Sequence, residues 1–157
     1  GGQEMGRRAG TENLIGIAGF AAAATAAARD LAAGVWDQVA EIRNILDQAL
    51  SAHEFKTISV GNSQRRLPNT LCVIAPQWKG ETQVMAMDLA GFAVSAGSAC
   101  SSGKVRASRV LRAMGYDDDL AAQAIRISIG PNLGRDDVLR FADVWAQEYK
   151  RLRSRKA

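Results

Sequence analysis

The chain has 157 residues, a formal net charge of +4, 47% hydrophobic residues and only 6% aromatic ones. That is the profile of a globular domain of ordinary size. It argues against a nucleic-acid surface, which needs a basic face with stacking aromatics; much of the excess charge sits in the terminal run KRLRSRKA.

Two cysteines, Cys72 and Cys100, and no leader-like segment predict a reducing, cytoplasmic setting. The single histidine, His53, has no ligand-like cluster around it, so no metal site is expected. The chain opens on GGQEMGRRAGTEN, without an initiator Met, as if inside a loop. A segment of a longer protein is the expectation.

Residues 1–10 are rich in Gly and Arg and predict a loop, with Thr11 as the cap of the helix that follows. The apolar run from Leu14 to Ala28 is mostly Ala and Gly and, at 15 residues, too short to span a bilayer, so a packed helix is expected. Helical spacing continues to about Ala52 through Leu31, Val35, Val39, Ile42, Leu46 and Leu50. Forty residues is long for one helix, and Gly34 predicts a break or bend. FKTISVG (55–61) alternates like a strand, NSQRRLPN is a loop, and TLCVIAP (70–76) is a buried strand. A helix is predicted over Thr82–Gly91, a short strand in FAVSAG, and a helix over Ser108–Gly115 capped by Ser108. A strand in AIRISIG (124–130) and a C-terminal amphipathic helix packing Val138, Phe141, Trp145 and Tyr149 complete the chain. The order helix, helix, β, β, α, β, α, β, α predicts an α/β or α+β fold with helices covering a small sheet. No internal repeat is visible.

The segment SAGSACSSGK, Ser95 to Lys104, cannot build a core, yet it holds Cys100. Cys72, inside TLCVIAP, fits the ordinary role of a small buried hydrophobe. Cys100 does not: its neighbours are Ser, Ala and Gly, and exposed loops of that kind often carry function. Lys104 and Arg106 nearby favour the thiolate, the nucleophilic form. Residue chemistry alone leaves a reactive thiol and a passive one equally open.

Two other chemistries fit poorly. A phosphate loop needs four residues between its glycines and Ser or Thr after the lysine; here five separate Gly97 from Gly103, and Val105 follows Lys104. A thiol hydrolase needs a histidine base, and His53, at the end of a long helix among polar residues, is expected to be a solvated surface side chain.

SAGSACSSG resembles the active-site loop of the cysteine desulfurases, which are pyridoxal-phosphate enzymes. GGQEMGRRAGTEN resembles that family's Gly-rich segment ending in Arg-x-Gly-Thr, and LPNTLCV its Pro-Asn strand entry. SRVLRAMG and AIRISIG follow at the family's usual distances. The Ser-Ala-Gly-Ser-Ala-Cys form resembles the housekeeping and nitrogen-fixation branch.

The resemblance implies that Cys100 is the nucleophile: its thiolate attacks the sulfur of substrate L-cysteine, L-alanine leaves, and a persulfide remains for iron–sulfur cluster assembly or other sulfur transfer. It implies that Arg126 binds the substrate carboxylate. A guanidinium on a strand offers a rigid two-pronged partner for that group, although without the resemblance an edge-strand surface arginine is the plainer account. It implies that Thr11 donates to the phosphate of pyridoxal 5′-phosphate in the partner subunit of a homodimer. Arg8 belongs to the same segment. The implied fold is the C-terminal part of a PLP-dependent transferase of the aspartate-aminotransferase type: residues 1–33 as the end of the large PLP domain, residues 34–157 as a long connecting helix and a small α+β domain. The implied partners are L-cysteine and a sulfur-acceptor or scaffold protein, with no nucleic acid and no membrane.

There are departures. The family's Schiff-base lysine lies in a Ser-x-His-Lys motif, and no such motif occurs in this sequence; the stacking histidine and the aspartate that pairs with the pyridine nitrogen have no counterpart either. After Arg126, GPNLGRDD replaces the usual Thr-rich helix entry, with Gly134 as a fair cap. The chain alone is therefore expected to be inactive. A non-catalytic module that accepts persulfide or binds a scaffold is the alternative.

Overall fold

The computed structural model describes residues 1–52, 56–97 and 108–155. They divide into two units, Gly1–Val35 and Trp36–Ala157.

The first unit holds α1 (Gln3–Gly6) and α2 (Leu14–Ala32). α1 is a single turn in which Glu4 and Met5 take left-handed φ values of 57° and 58°, so residues 1–10 are not the plain loop expected. α2 is capped by Asn13, whose side chain accepts from the Gly16 N–H at 3.0 Å. The expected cap, Thr11, lies two residues upstream of the N-cap position; Asn adjacent to the first helical residue is an equally strong acceptor and takes the role. α2 runs past Ala28 through Arg29 and Asp30 to 19 residues, which by length and composition is enough to cross a membrane. The 15-residue limit drawn from the sequence was too short, because good helix formers follow the apolar run. No α2 residue is buried within this chain. Gly34, at φ 73°, makes the expected break, and α3 (Val35–Ser51) begins at the next residue.

The second unit is built on a four-stranded antiparallel sheet of order β1-β2-β4-β3. Its strands are β1 (Ile58–Ser59), β2 (Thr70–Ile74), β3 (Ser95–Ala96) and β4 (Ala124–Ser128). The central ladder pairs Thr70 with Ser128, Cys72 with Arg126 and Ile74 with Ala124. Because side chains alternate between faces, Leu71, Val73, Ile125 and Ile127 share one face and are buried. α3 lays Val39, Leu46 and Leu50 into that core, and α7 (Arg135–Ser154) adds Val138, Phe141, Ala142, Trp145 and Tyr149. Trp78 closes it, its ring 5.5 Å from Trp145 and 5.2 Å from Tyr149. The buried Gln83 of α4 (Gly80–Leu89) donates to the carbonyls of Trp78 and Gln123, both at 2.9 Å, and accepts from Trp145 Nε1 at 3.2 Å.

Among the described residues the opposite face is covered at one end. Ile74 and Ala124 pack against Val60, Leu111 of α5 (Arg109–Ala113) and Ala121 of α6 (Asp118–Ala122). Ser108 caps α5 as expected, its side chain accepting from the Leu111 N–H. α6 was not expected; Asp117 caps it, accepting from the Leu120 N–H at 2.8 Å. α7 starts at Gly134, whose N–H donates to the Asp137 carboxylate at 2.9 Å, so the side chain three residues on compensates for a cap residue that has none.

Candidate active site

The other end of the second face carries Arg126. The expectation of an edge-strand arginine fails: β4 lies between β2 and β3, so Arg126 is flanked on both sides by strand. It is exposed all the same, because α5 and α6 cover only the Ile74–Ala124 end. Its direct cross-strand partners are Cys72 on β2 and Ser95 on β3. On its own strand the same-face neighbours are Ala124 and Ser128. All of these side chains are small and uncharged, and among the described residues Arg126 makes no hydrogen bond or ion pair. Among the described residues this exposed guanidinium has no counter-ion, and a guanidinium on a strand is chemically able to take an external carboxylate in two parallel hydrogen bonds.

Cys72 is half-buried against the smaller core. Burial pushes its thiol pKa up, while the neighbouring positive charge of Arg126 pulls the other way and loses. Cys72 is therefore a neutral thiol near pH 7, and it places no competing anion beside Arg126. The sequence assigned Cys72 to the core alone. That it also borders Arg126 depends on the β2–β4 register, for which the sequence holds no local signal.

Cys100 lies outside the described residues, as do His53, Lys104 and Arg106. The chain entering the Cys100 segment is described: β3 ends at Ala96 and Gly97 follows with φ 63°. Cys100 follows Ser95 by five positions, so the backbone tethers the two Cα atoms within about 17 Å even when fully extended.

Thr11 belongs to the other unit and is exposed there. Arg8 donates to the carbonyls of Gly10 and Thr11, both at 3.0 Å, and pairs with Glu12 at 3.5 Å. Arg8 thus folds the segment around Gly10, which sits at φ 92°, and leaves the Thr11 hydroxyl on the surface. That hydroxyl is free of the capping role and suits a phosphate oxygen. The described lysines, Lys56, Lys79 and Lys150, stand at a loop, at the start of α4 and on α7, and none is on the sheet face of Arg126.

Comparison with known proteins shows the family. The family model described as aminotransferase class-V matches residues 2–141. A cysteine desulfurase of Cereibacter sphaeroides is 42% identical over 127 residues, 81% of this chain and 32% of that protein. Another, of Gluconacetobacter diazotrophicus, is 40% identical over 142 residues, 90% of this chain and 35% of that protein. The chain thus spans about a third of the length of the curated relatives it matches. The X-ray structure of a NifS-like protein from Rickettsia africae superposes with a TM-score of 0.81 at 28% identity, over 96% of this chain and 38% of that one. The fold, helices with a small antiparallel sheet, is part of a PLP-dependent transferase fold. The matched region includes α2, so that helix belongs to the family's domain despite its membrane-compatible length. From the strand that presents Arg126 to the helix that follows Thr11, the chain belongs to the aminotransferase class-V family.

Proposed function

We propose that this chain is the C-terminal part of a cysteine desulfurase, in which residues 1–33 end the large PLP domain and residues 34–157 form the connecting helix and small domain. The observation that carries the proposal is Arg126: a guanidinium on an interior strand with no ion-pair partner among the described residues, whose partner strand β3 precedes the segment holding Cys100.

Pyridoxal 5′-phosphate, when bound, withdraws electrons from the substrate's amine-bearing carbon and so eases cleavage of the carbon–sulfur bond. Thr11 offers its hydroxyl to the cofactor phosphate of the partner subunit. Arg126 takes the carboxylate of L-cysteine in two parallel hydrogen bonds and fixes the amino acid's orientation. The Cys100 thiolate, favoured by Lys104 and Arg106, attacks the substrate sulfur. The new S–S bond forms as the carbon–sulfur bond breaks; its electron pair stays with the carbon, which takes up a proton and leaves as L-alanine. Atoms balance: cysteine and an enzyme thiol become alanine and an enzyme persulfide. A Ser- and Gly-rich segment suits a thiol that must reach the substrate and then an acceptor or scaffold protein. The working form is a cytoplasmic homodimer.

One observation favours a second proposal. No Ser-x-His-Lys motif occurs in the sequence, and a chain that works without that lysine would accept persulfide or bind a scaffold without desulfurating cysteine. Mass spectrometry of the full-length protein after incubation with L-cysteine separates the two. One added sulfur on the peptide holding Cys100, lost in Cys100→Ser, supports the desulfurase. No added sulfur in a protein that binds the cofactor overturns the desulfurase reading, and a full-length protein without a Ser-x-His-Lys lysine supports the module.

A further inference from the structure

Arg126 has two direct cross-strand neighbours, and they are not equivalent. Cys72 is half-buried and packs against the cluster of Val60, Ile74, Leu111, Ala121 and Ala124. Ser95 is exposed on the edge strand, and among the described residues its hydroxyl has no hydrogen-bond partner. The other hydroxyls on this face are worse placed. Thr70 is committed to Asn69 at 3.2 Å, and Ser128 lies two residues along the strand, about 7 Å away. Residues directly opposite in an antiparallel pair have Cα atoms only about 4.5–5.5 Å apart and point to the same face.

A carboxylate has about four lone-pair sites, and a two-pronged guanidinium uses two of them. A donor beside the guanidinium can use one of the remaining lone-pair sites and add to the grip. We infer that Ser95 is that second anchor: its hydroxyl donates to the carboxylate that Arg126 binds, so that the substrate's acid group is gripped from two adjacent strands. This rests on the proposed role of Arg126 and extends it. Ser95 opens β3, five positions before Cys100 in the chain, so the anchor holds the carboxylate close in sequence to the proposed nucleophile. The site then selects α-amino acids over simple amines through two residues.

The test is calorimetric binding of L-alanine and of ethylamine, which differ only by the carboxylate, to the full-length protein loaded with pyridoxal 5′-phosphate. Ser95→Ala weakens L-alanine about tenfold, as loss of one hydrogen bond to a charged group should, and leaves ethylamine unchanged; Ser95→Thr restores most of the affinity. Unchanged L-alanine affinity in Ser95→Ala overturns the inference. So does equal weakening of both ligands, which reports a distorted strand. Arg126→Gln runs in parallel. If it weakens L-alanine about 100-fold while Ser95→Ala has no effect, only the Ser95 anchor fails. If Arg126→Gln also leaves L-alanine unchanged, the carboxylate role of Arg126 fails, and the anchor with it.

Discussion

Arg126 and Cys72 face each other directly across the β2–β4 ladder, a permanent cation beside a thiol that burial keeps protonated. The pair leaves Arg126 its full charge toward an outside ligand, since a thiol neutralises nothing. Replacing Arg126 with Gln in the full-length enzyme should lower kcat/KM for L-cysteine by about 100-fold, the loss of a two-pronged charged contact. Arg126→Lys should recover only part, because an ammonium offers a point charge where the carboxylate meets a fork. Steady-state alanine formation measures both.

The same pair carries a pH dependence. A thiol whose pKa is raised in the folded state binds its proton more tightly there than in the unfolded chain. Above the ordinary value of 9.0 the unfolded chain has released its proton while the folded one retains it, so stability falls as pH rises beyond that point. Tyr149 adds to the trend at higher pH: burial raises its phenol above the ordinary 10.0, and it donates to the Pro76 carbonyl. Denaturation midpoints measured from pH 8 to 10.5 should decline, and Cys72→Ala should flatten the first part of the decline. An unchanged slope in that variant would exclude Cys72 as its source.

Gly80 opens α4 where no side chain fits. A Cβ there would lie 2.5 Å from the Ala124 carbonyl oxygen and 3.0 Å from the Ala96 Cβ. The oxygen belongs to the backbone of the interior strand β4 and cannot swing aside. Gly80→Ala should destabilise by about 1–3 kcal/mol, the usual range for overpacking. Gly130→Ala, with nothing within 4 Å of the new methyl, is the control and should stay within about 0.5 kcal/mol in urea titrations.

Gln83 is fully buried and joins α4 to the Trp78 turn, to Gln123 before β4 and to Trp145 on α7. Gln83→Leu keeps the volume but removes all three hydrogen bonds. A loss of about 2–4 kcal/mol is expected, because buried polar groups that lose a partner bear their desolvation cost. A near-neutral result in chemical denaturation would mean that water replaces the amide.

Much of this protein was legible in its residues. The β-branched run Thr70–Ile74 became the long strand β2, Gly34 divided the first helices, and Ser108 capped α5, because each depends on local backbone preference or spacing. The short elements were harder. β1 shrank from the alternating stretch 55–61 to Ile58–Ser59, and α6 hid in five residues whose only mark was the Asp117 cap. α2 was capped by Asn13 and not Thr11, since two good acceptors stood within three residues of each other and the residue at which the helix starts decides between them.

The sequence by itself determined most of the helical and strand segments, the family resemblance and the chemistry on offer: a guanidinium, a thiol in a Ser- and Gly-rich segment, and a hydroxyl at Thr11. Only the tertiary structure decided that Arg126 stands on an interior strand with Cys72 on one side and Ser95 on the other. Strand order and register arise from pairing residues about 30 positions apart in one ladder and 50 or more in the other, set by which faces bury Leu71, Val73, Ile125 and Ile127 against α3 and α7. No local pattern carries that information, because the burial that selects the register exists only after the chain has closed on itself.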